Sequence, residues 1–155
     1  MDKNFYITTP IYYPSARPHM GHAYSSIIAD FFSRFKTIDG YKVCFLTGTD
    51  EHGLKIQRSA EKEGLDPLKF CDQISKTFRD LSKTLNLTNT DFIRTTEDRH
   101  KKSVQHLWKE LEKNDDIYLS NYSGWYSISD EAFYNEDEIE EIDGKKISIS
   151  SKSTV

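Results

Sequence analysis

Two β-prone runs, Phe5–Thr9 and Tyr41–Thr47, bracket a stretch patterned for one long helix, and that spacing leaves few folds open. Phe5–Thr9 alternates apolar and β-branched residues and stops at Pro10, as a short strand does. From about His19 to Ile38 the residues Ala23, Ile27, Ile28, Phe31, Phe32 and Phe35 recur at helical intervals, the apolar stripe of a long amphipathic helix, and Asp39-Gly40 ends the pattern. Tyr41–Thr47 is a compact apolar run that reads as a second strand, buried on both faces. A strand–helix–strand unit of this kind favours a parallel sheet with a right-handed crossover, the start of a Rossmann-like α/β fold.

The pattern continues with a helix from His52 to Glu63, stopped by Gly64, and another from Pro67 to Leu85 whose apolar stripe is Leu68, Cys71, Ile74, Phe78, Leu81 and Leu85. Phe92–Thr96 reads as a third strand, and Glu97-Asp98 opens a helix running to about Glu112. Beyond Asp116 the texture becomes aromatic and β-prone over Tyr118–Ser129 and Ala132–Tyr134. Ile142–Ile147 reads as a hairpin turning at Asp143-Gly144. The expected organisation is an incomplete α/β part over 1–115 and the start of a β-rich insertion over 116–155. Ser148–Val155 carries no stop signal of a finished domain.

With 155 residues, 36% of them hydrophobic and 30% charged, one globular domain is the expectation rather than a disordered tail. The apolar runs are too short for a membrane span, and Met1-Asp2-Lys3-Asn4 leads straight into a strand instead of a signal peptide, so a cytoplasmic protein is expected. Cys44 and Cys71 sit in apolar contexts without a CxxC and read as buried free thiols. A net charge of −4 argues against a surface that grips nucleic acid throughout. The acidic run Asp130–Asp143 reads as a solvated face.

Two polar clusters carry candidate chemistry. In Pro18-His19-Met20-Gly21-His22, two histidines share one face at a helix N-terminus, where free backbone amides favour an anion such as phosphate. Gly21 lets a flat group approach the backbone. The alternatives are a helix start with incidental histidines and a metal site, for which no further ligand is placed. Thr47-Gly48-Thr49-Asp50-Glu51-His52-Gly53 follows the second strand at its carboxyl end, where open α/β sheets bind ligands. Here the plain alternative is that Asp50 caps the next helix and Glu51 complements its dipole.

Thr8–Pro14 followed by His19-Met20-Gly21-His22 resembles the HIGH signature of class I aminoacyl-tRNA synthetases. Leu46–Gly53, Phe92–His100, Gly124-Trp125-Tyr126 and Asp130–Tyr134 resemble the methionyl-tRNA synthetases in particular. The resemblance runs from about residue 4 to the end and implies an N-terminal fragment of an enzyme that joins methionine to ATP and passes it to tRNA(Met). It implies that His19 and His22 contact ATP phosphates with Gly21 against the nucleotide, that Ile11 and Tyr13 line the methionine side-chain pocket, and that Asp50 holds the amino group. ATP would act with Mg2+. The family's KMSKS loop is absent from these residues, so the fragment is expected to be inactive alone. Where many relatives begin a zinc knuckle with CxxC, this chain has Ser127 and Asp130, which implies a zinc-free subgroup.

Two other readings are set against this one. A nucleotidylyltransferase of the same superfold also binds ATP through an HxxH element, but the Asp50 cluster and the aromatic insertion discriminate against it. A non-catalytic synthetase-derived RNA-binding module would not need both histidines intact.

Overall fold

The computed structural model describes residues 3–155, so Met1 and Asp2, the start of the segment expected to lead into the first strand, lie outside the described residues. The chain divides into two compact units, Met1–Trp108 and Lys109–Val155. In the first, β1 (Asn4–Thr8), β2 (Lys42–Thr49) and β3 (Asp91–Arg94) form a parallel sheet in the order β1-β2-β3. Tyr6 pairs with Cys44 and Thr47 with Phe92. Helix α1 (Met20–Ile38) connects β1 to β2, and α2 (Leu54–Lys62) and α3 (Pro67–Thr84) connect β2 to β3. The expected α/β class and parallel sheet are therefore present.

The sheet tolerates a very close approach at one point. A Cβ on Gly48 would lie 2.0 Å from the Ile93 carbonyl oxygen, so glycine is required where β2 meets β3. Asp66 caps α3 by accepting from the Leu68 and Lys69 amides, with Pro67 in its first turn. Among the described residues, buried side chains gather in a cluster of Ile56, Ala60, Phe70 and Cys71 between α2 and α3 and in another of Tyr12, Phe78 and Phe92.

Three expectations about burial are corrected. Helix α1 buries Ala23, Ser26, Ala29, Asp30 and Ser33, while Ile27, Ile28, Phe31, Phe32 and Phe35 are exposed, Phe31 to 63%. Small residues let the helix sit close to the sheet, and hydrogen bonds offset the desolvation of its polar ones. Asp30 Oδ1 accepts from the Thr88 amide and hydroxyl at 2.6 and 2.7 Å, and Arg34 reaches Asp30 Oδ2 at 2.6 Å. The second strand is not buried along its whole length, because Lys42 and Cys44 are exposed and the burial begins at Phe45. Cys44 is therefore an exposed thiol, and Cys71 a buried one.

The second unit holds two antiparallel pairs, β4 (Trp125–Ser127) with β5 (Ala132–Tyr134) and β6 (Ile139–Ile142) with β7 (Lys145–Ser148). Asp143 and Gly144 both have positive φ, as the two central residues of a tight hairpin turn require. Its fully buried side chains are hydroxyls. Ser127 and Ser148 each accept the amide three residues on, from Asp130 and Ser151, at 3.3 Å. The Asp130 carboxylate accepts from Tyr134 at 2.8 Å, from Ser151 at 2.5 Å and from Ser153, and Ser127 donates to Ser153 at 2.9 Å. Helix α4 (Asp98–Lys113) spans the division between the units and has no buried residue. Among the described residues no helix is long and apolar enough to cross a membrane.

Candidate functional site

Pro10 lacks an amide donor, yet the chain beyond β1 continues along the carboxyl end of β2. The Tyr12 amide donates to the Gly48 carbonyl at 2.9 Å, and the Asp50 amide donates to the Tyr12 carbonyl at 2.9 Å. Extended backbone alternates its side chains. Tyr12 is accordingly buried, at 7% exposed, between Ile11 at 40% and Tyr13 at 37%. Lys55 Nζ lies 5.7 Å from the centre of the Tyr13 ring. Ile11 and Tyr13 thus offer apolar and aromatic surface at a half-open position.

The two histidines form a reciprocal cap at the start of α1. His19, extended at the N-cap, accepts the Gly21 amide on Nδ1 at 3.0 Å, and His22 accepts the His19 amide on Nδ1 at 3.1 Å. Their rings stand 3.9 Å apart. With both Nδ1 atoms accepting, each neutral imidazole carries its proton on Nε2, so both become Nε2–H donors. Gly21 has a local reason as well, since a Cβ there would lie 2.9 Å from His19 Cε1. Burial, and then the neighbouring His19 charge, hold the His22 pKa below its ordinary value of 6.5.

The cluster after β2 divides into an open and a buried carboxylate. Asp50 is half-buried and does not cap α2, whose N-cap is Gly53 with no side-chain bond. Nor does Glu51 serve as a dipole partner on the surface. It is 4% exposed, with Arg94 bridging its two oxygens at 2.7 and 3.0 Å. Thr49 and Thr96 donate to it at 2.7 and 2.5 Å, and its own amide donates to Thr95 Oγ1 at 2.8 Å. Burial works to raise the Glu51 pKa, but the hydrogen bonds from Arg94, Thr96 and Thr49 and the Arg94 charge outweigh it and hold it below its usual value. Arg94 also pairs with Asp72 at 2.7 Å. Beside this pair, burial and then the Glu51 charge push the Cys71 thiol up to about 11, which makes it an inert core thiol.

The sequence marks the carboxylates and histidines as candidates but does not single out Tyr12 or Arg94. The signal for Arg94 was a cation in the otherwise apolar and β-branched run Phe92–Thr96. Tyr12 carried no signal beyond the alternation Ile11-Tyr12-Tyr13. Among the described residues no group of three or more His, Cys, Asp or Glu gathers as a metal site would need.

A family model described as tRNA synthetases class I (M) matches residues 5–147. The chain is 51% identical over 142 residues to a methionine–tRNA ligase of Listeria monocytogenes, covering 91% of this chain and 21% of that protein. It is 49% identical over 155 residues to a mitochondrial methionine–tRNA ligase of Takifugu rubripes, covering 98% of this chain and 26% of that protein. A structure of Mycobacterium tuberculosis methionyl-tRNA synthetase in complex with methionyl-adenylate superposes with a TM-score of 0.91 at 43% identity, over 98% of this chain and 30% of that one. The chain thus spans between a fifth and a third of the length of these relatives.

Proposed function

The chain belongs to the class I tRNA synthetases (M), and from that premise we propose that it supplies the ATP- and methionine-binding crevice of a methionine–tRNA ligase. In the first step a methionine carboxylate oxygen attacks the α-phosphorus of ATP, the bond to the β-phosphate bridging oxygen breaks, and pyrophosphate leaves with the electron pair. Methionyl-adenylate remains. In the second, a hydroxyl of the terminal ribose of tRNA(Met) attacks its carbonyl carbon and AMP departs. Neither step needs a covalent protein intermediate, so positioning and charge stabilisation carry the catalysis.

His19 and His22, as paired Nε2–H donors, bind the phosphates while charge shifts toward pyrophosphate, and Gly21 leaves the backbone open to the nucleotide. Asp50 accepts the methionine ammonium in a charge-assisted hydrogen bond. Ile11 and Tyr13 receive the polarizable thioether. Mg2+ enters as the partner of the ATP phosphates, part of the substrate. Residues 1–115 form the N-terminal part of the nucleotide-binding domain and 116–155 the start of a connective insertion. Zinc does not fit that insertion, since Ser127 and Asp130 present hydroxyl and carboxylate oxygens already bonded to neighbouring serines and Tyr134, not a tetrahedral thiolate shell.

The observation that carries this reading is the Tyr12–Asp50 backbone bond beside the histidine cap, which brings the loop with Ile11 and Tyr13 to the end of β2 that bears Asp50. The test is methionine-dependent ATP–pyrophosphate exchange by the full-length ligase. His19→Ala or His22→Ala is expected to lower the activation rate roughly 100- to 1,000-fold, with methionine affinity changed far less. Asp50→Asn is expected to impair methionine use selectively. Near-normal methionine kinetics in Asp50→Asn would remove Asp50 from the site, and robust exchange by these 155 residues alone would contradict the need for a lysine-bearing loop.

A further inference from the structure

Tyr12 touches both ends of the crevice, through different atoms. Its carbonyl accepts the Asp50 amide at 2.9 Å and its amide donates to Gly48, so the backbone on either side of Thr49 is bound to it. Its side chain leaves in the opposite direction from those of Ile11 and Tyr13 and meets α1. The phenol donates to the His22 carbonyl at 3.3 Å and stands 2.9 Å from Ser26 Oγ, which, as the phenol has one proton, donates back to it. The ring stacks on Phe78 at 5.5 Å and 19°, and both rings meet the His22 imidazole nearly edge-on, at 4.8 and 5.1 Å.

We propose that Tyr12 is a positioning residue of the activation step, holding the Asp50 end of the crevice in register with the His22 imidazole. The inference rests on the roles assigned above to Asp50 and His22. Attack at phosphorus depends on the placement of the carboxylate relative to the donors, and a misplacement of about 1 Å costs on the order of 100-fold. A loop tied to one end alone would transmit none of its position to the other. Tyr12 also keeps His22 in its working form. Walled by Tyr12 and Phe78, the imidazole is desolvated on one side, which favours the neutral ring whose Nδ1 takes the His19 amide and whose Nε2 carries the proton. The titratable groups facing it are His19 from the same cap and the Tyr12 phenol from the loop, while α3 presents the uncharged Phe78 ring.

The test uses three variants of the full-length ligase, single-turnover adenylate formation between about pH 5.5 and 8.5, and NMR titration of the His22 imidazole. Tyr12→Leu is expected to slow activation roughly 10- to 100-fold, to raise the methionine KM, and to move the acid limb and the His22 titration up toward 6.5. Phe78→Leu, which borders His22 but makes no bond to the β2 end, should move the titration while leaving methionine KM unchanged. Tyr12→Phe keeps ring and backbone and should restore most of the rate. The proposal is overturned if Tyr12→Leu slows activation with the His22 titration unmoved, or if Phe78→Leu raises methionine KM as much as Tyr12→Leu does, since either marks a general packing defect. Failure of the underlying reading looks different: His22→Ala would then be fully active, whatever Tyr12 does.

Discussion

Glu51 and Asp130 are both carboxylates ringed by donors, one in each compact unit, yet their surroundings differ in kind. Glu51 is buried and faces a guanidinium that bridges both its oxygens, with two threonine hydroxyls completing its shell. Asp130 draws on neutral hydroxyls from Tyr134, Ser151 and Ser153. An ionised group removed from water needs an opposite charge, whereas one that keeps contact with water can be completed by hydroxyls. The two networks also do different work. The first fixes the backbone that presents Asp50, while the second ties the β4–β5 turn to the segment after β7 in a unit whose fully buried residues are Ser127 and Ser148.

The largest effect that bears on this contrast is expected from Arg94→Ala. It leaves the Glu51 charge buried and unpaired, which costs about 3–5 kcal/mol in a buried pair. Urea unfolding followed through the first unit measures it, and a loss below about 1 kcal/mol would place the pair among surface ion pairs instead. Asp130→Asn is expected to lower the urea midpoint of the second unit by less than Arg94→Ala lowers that of the first, read through Trp125, whose indole nitrogen donates to Glu136 at 2.9 Å. A larger loss than Arg94→Ala would reverse the comparison.

Acid titration sharpens the contrast further. Both carboxylates have depressed folded pKa values, so the stability each contributes is present above its unfolded value, 4.5 for Glu51 and 3.8 for Asp130. That contribution is lost as pH falls through the lower folded value. Neither network should therefore weaken between neutrality and about pH 5, and Glu51→Gln should flatten the acid limb of the first unit's stability below 4.5. A limb unchanged by Glu51→Gln would show that its carboxylate gains nothing on folding. The smallest effect is expected from chelation. Because the Asp130 network closes on hydroxyls, a chelator should leave the second unit's melting unchanged and elemental analysis should find no stoichiometric zinc; one zinc per chain would mean that the hydroxyl shell rearranges around a metal.

The element plan was legible because it rests on local rules. The periodicity of Ala23 to Phe35, Pro67 after Asp66, and Asp143-Gly144 each reflect a backbone preference acting within a few residues. Which face of α1 would be buried was not legible. The apolar stripe predicts Ile27 and Phe31 inward, but Asp30 finds Thr88 far along the chain and a small-residue face lets the helix approach the sheet. Cys44 misleads for a related reason, since an apolar run does not say how much of a strand its neighbours cover.

By itself, then, the sequence determined the strand–helix–strand order, the hairpin turn, the helix that begins at the histidine pair and the family the chain belongs to, since dihedral preference, periodicity and motif wording are properties of adjacent residues. The tertiary structure decided which carboxylate is buried and that Tyr12 is bonded both to the end of β2 and to α1. Those outcomes depend on partners brought together from α1, β2, β3 and α3, where burial and hydrogen bonding are settled by packing. No spacing along the chain records them.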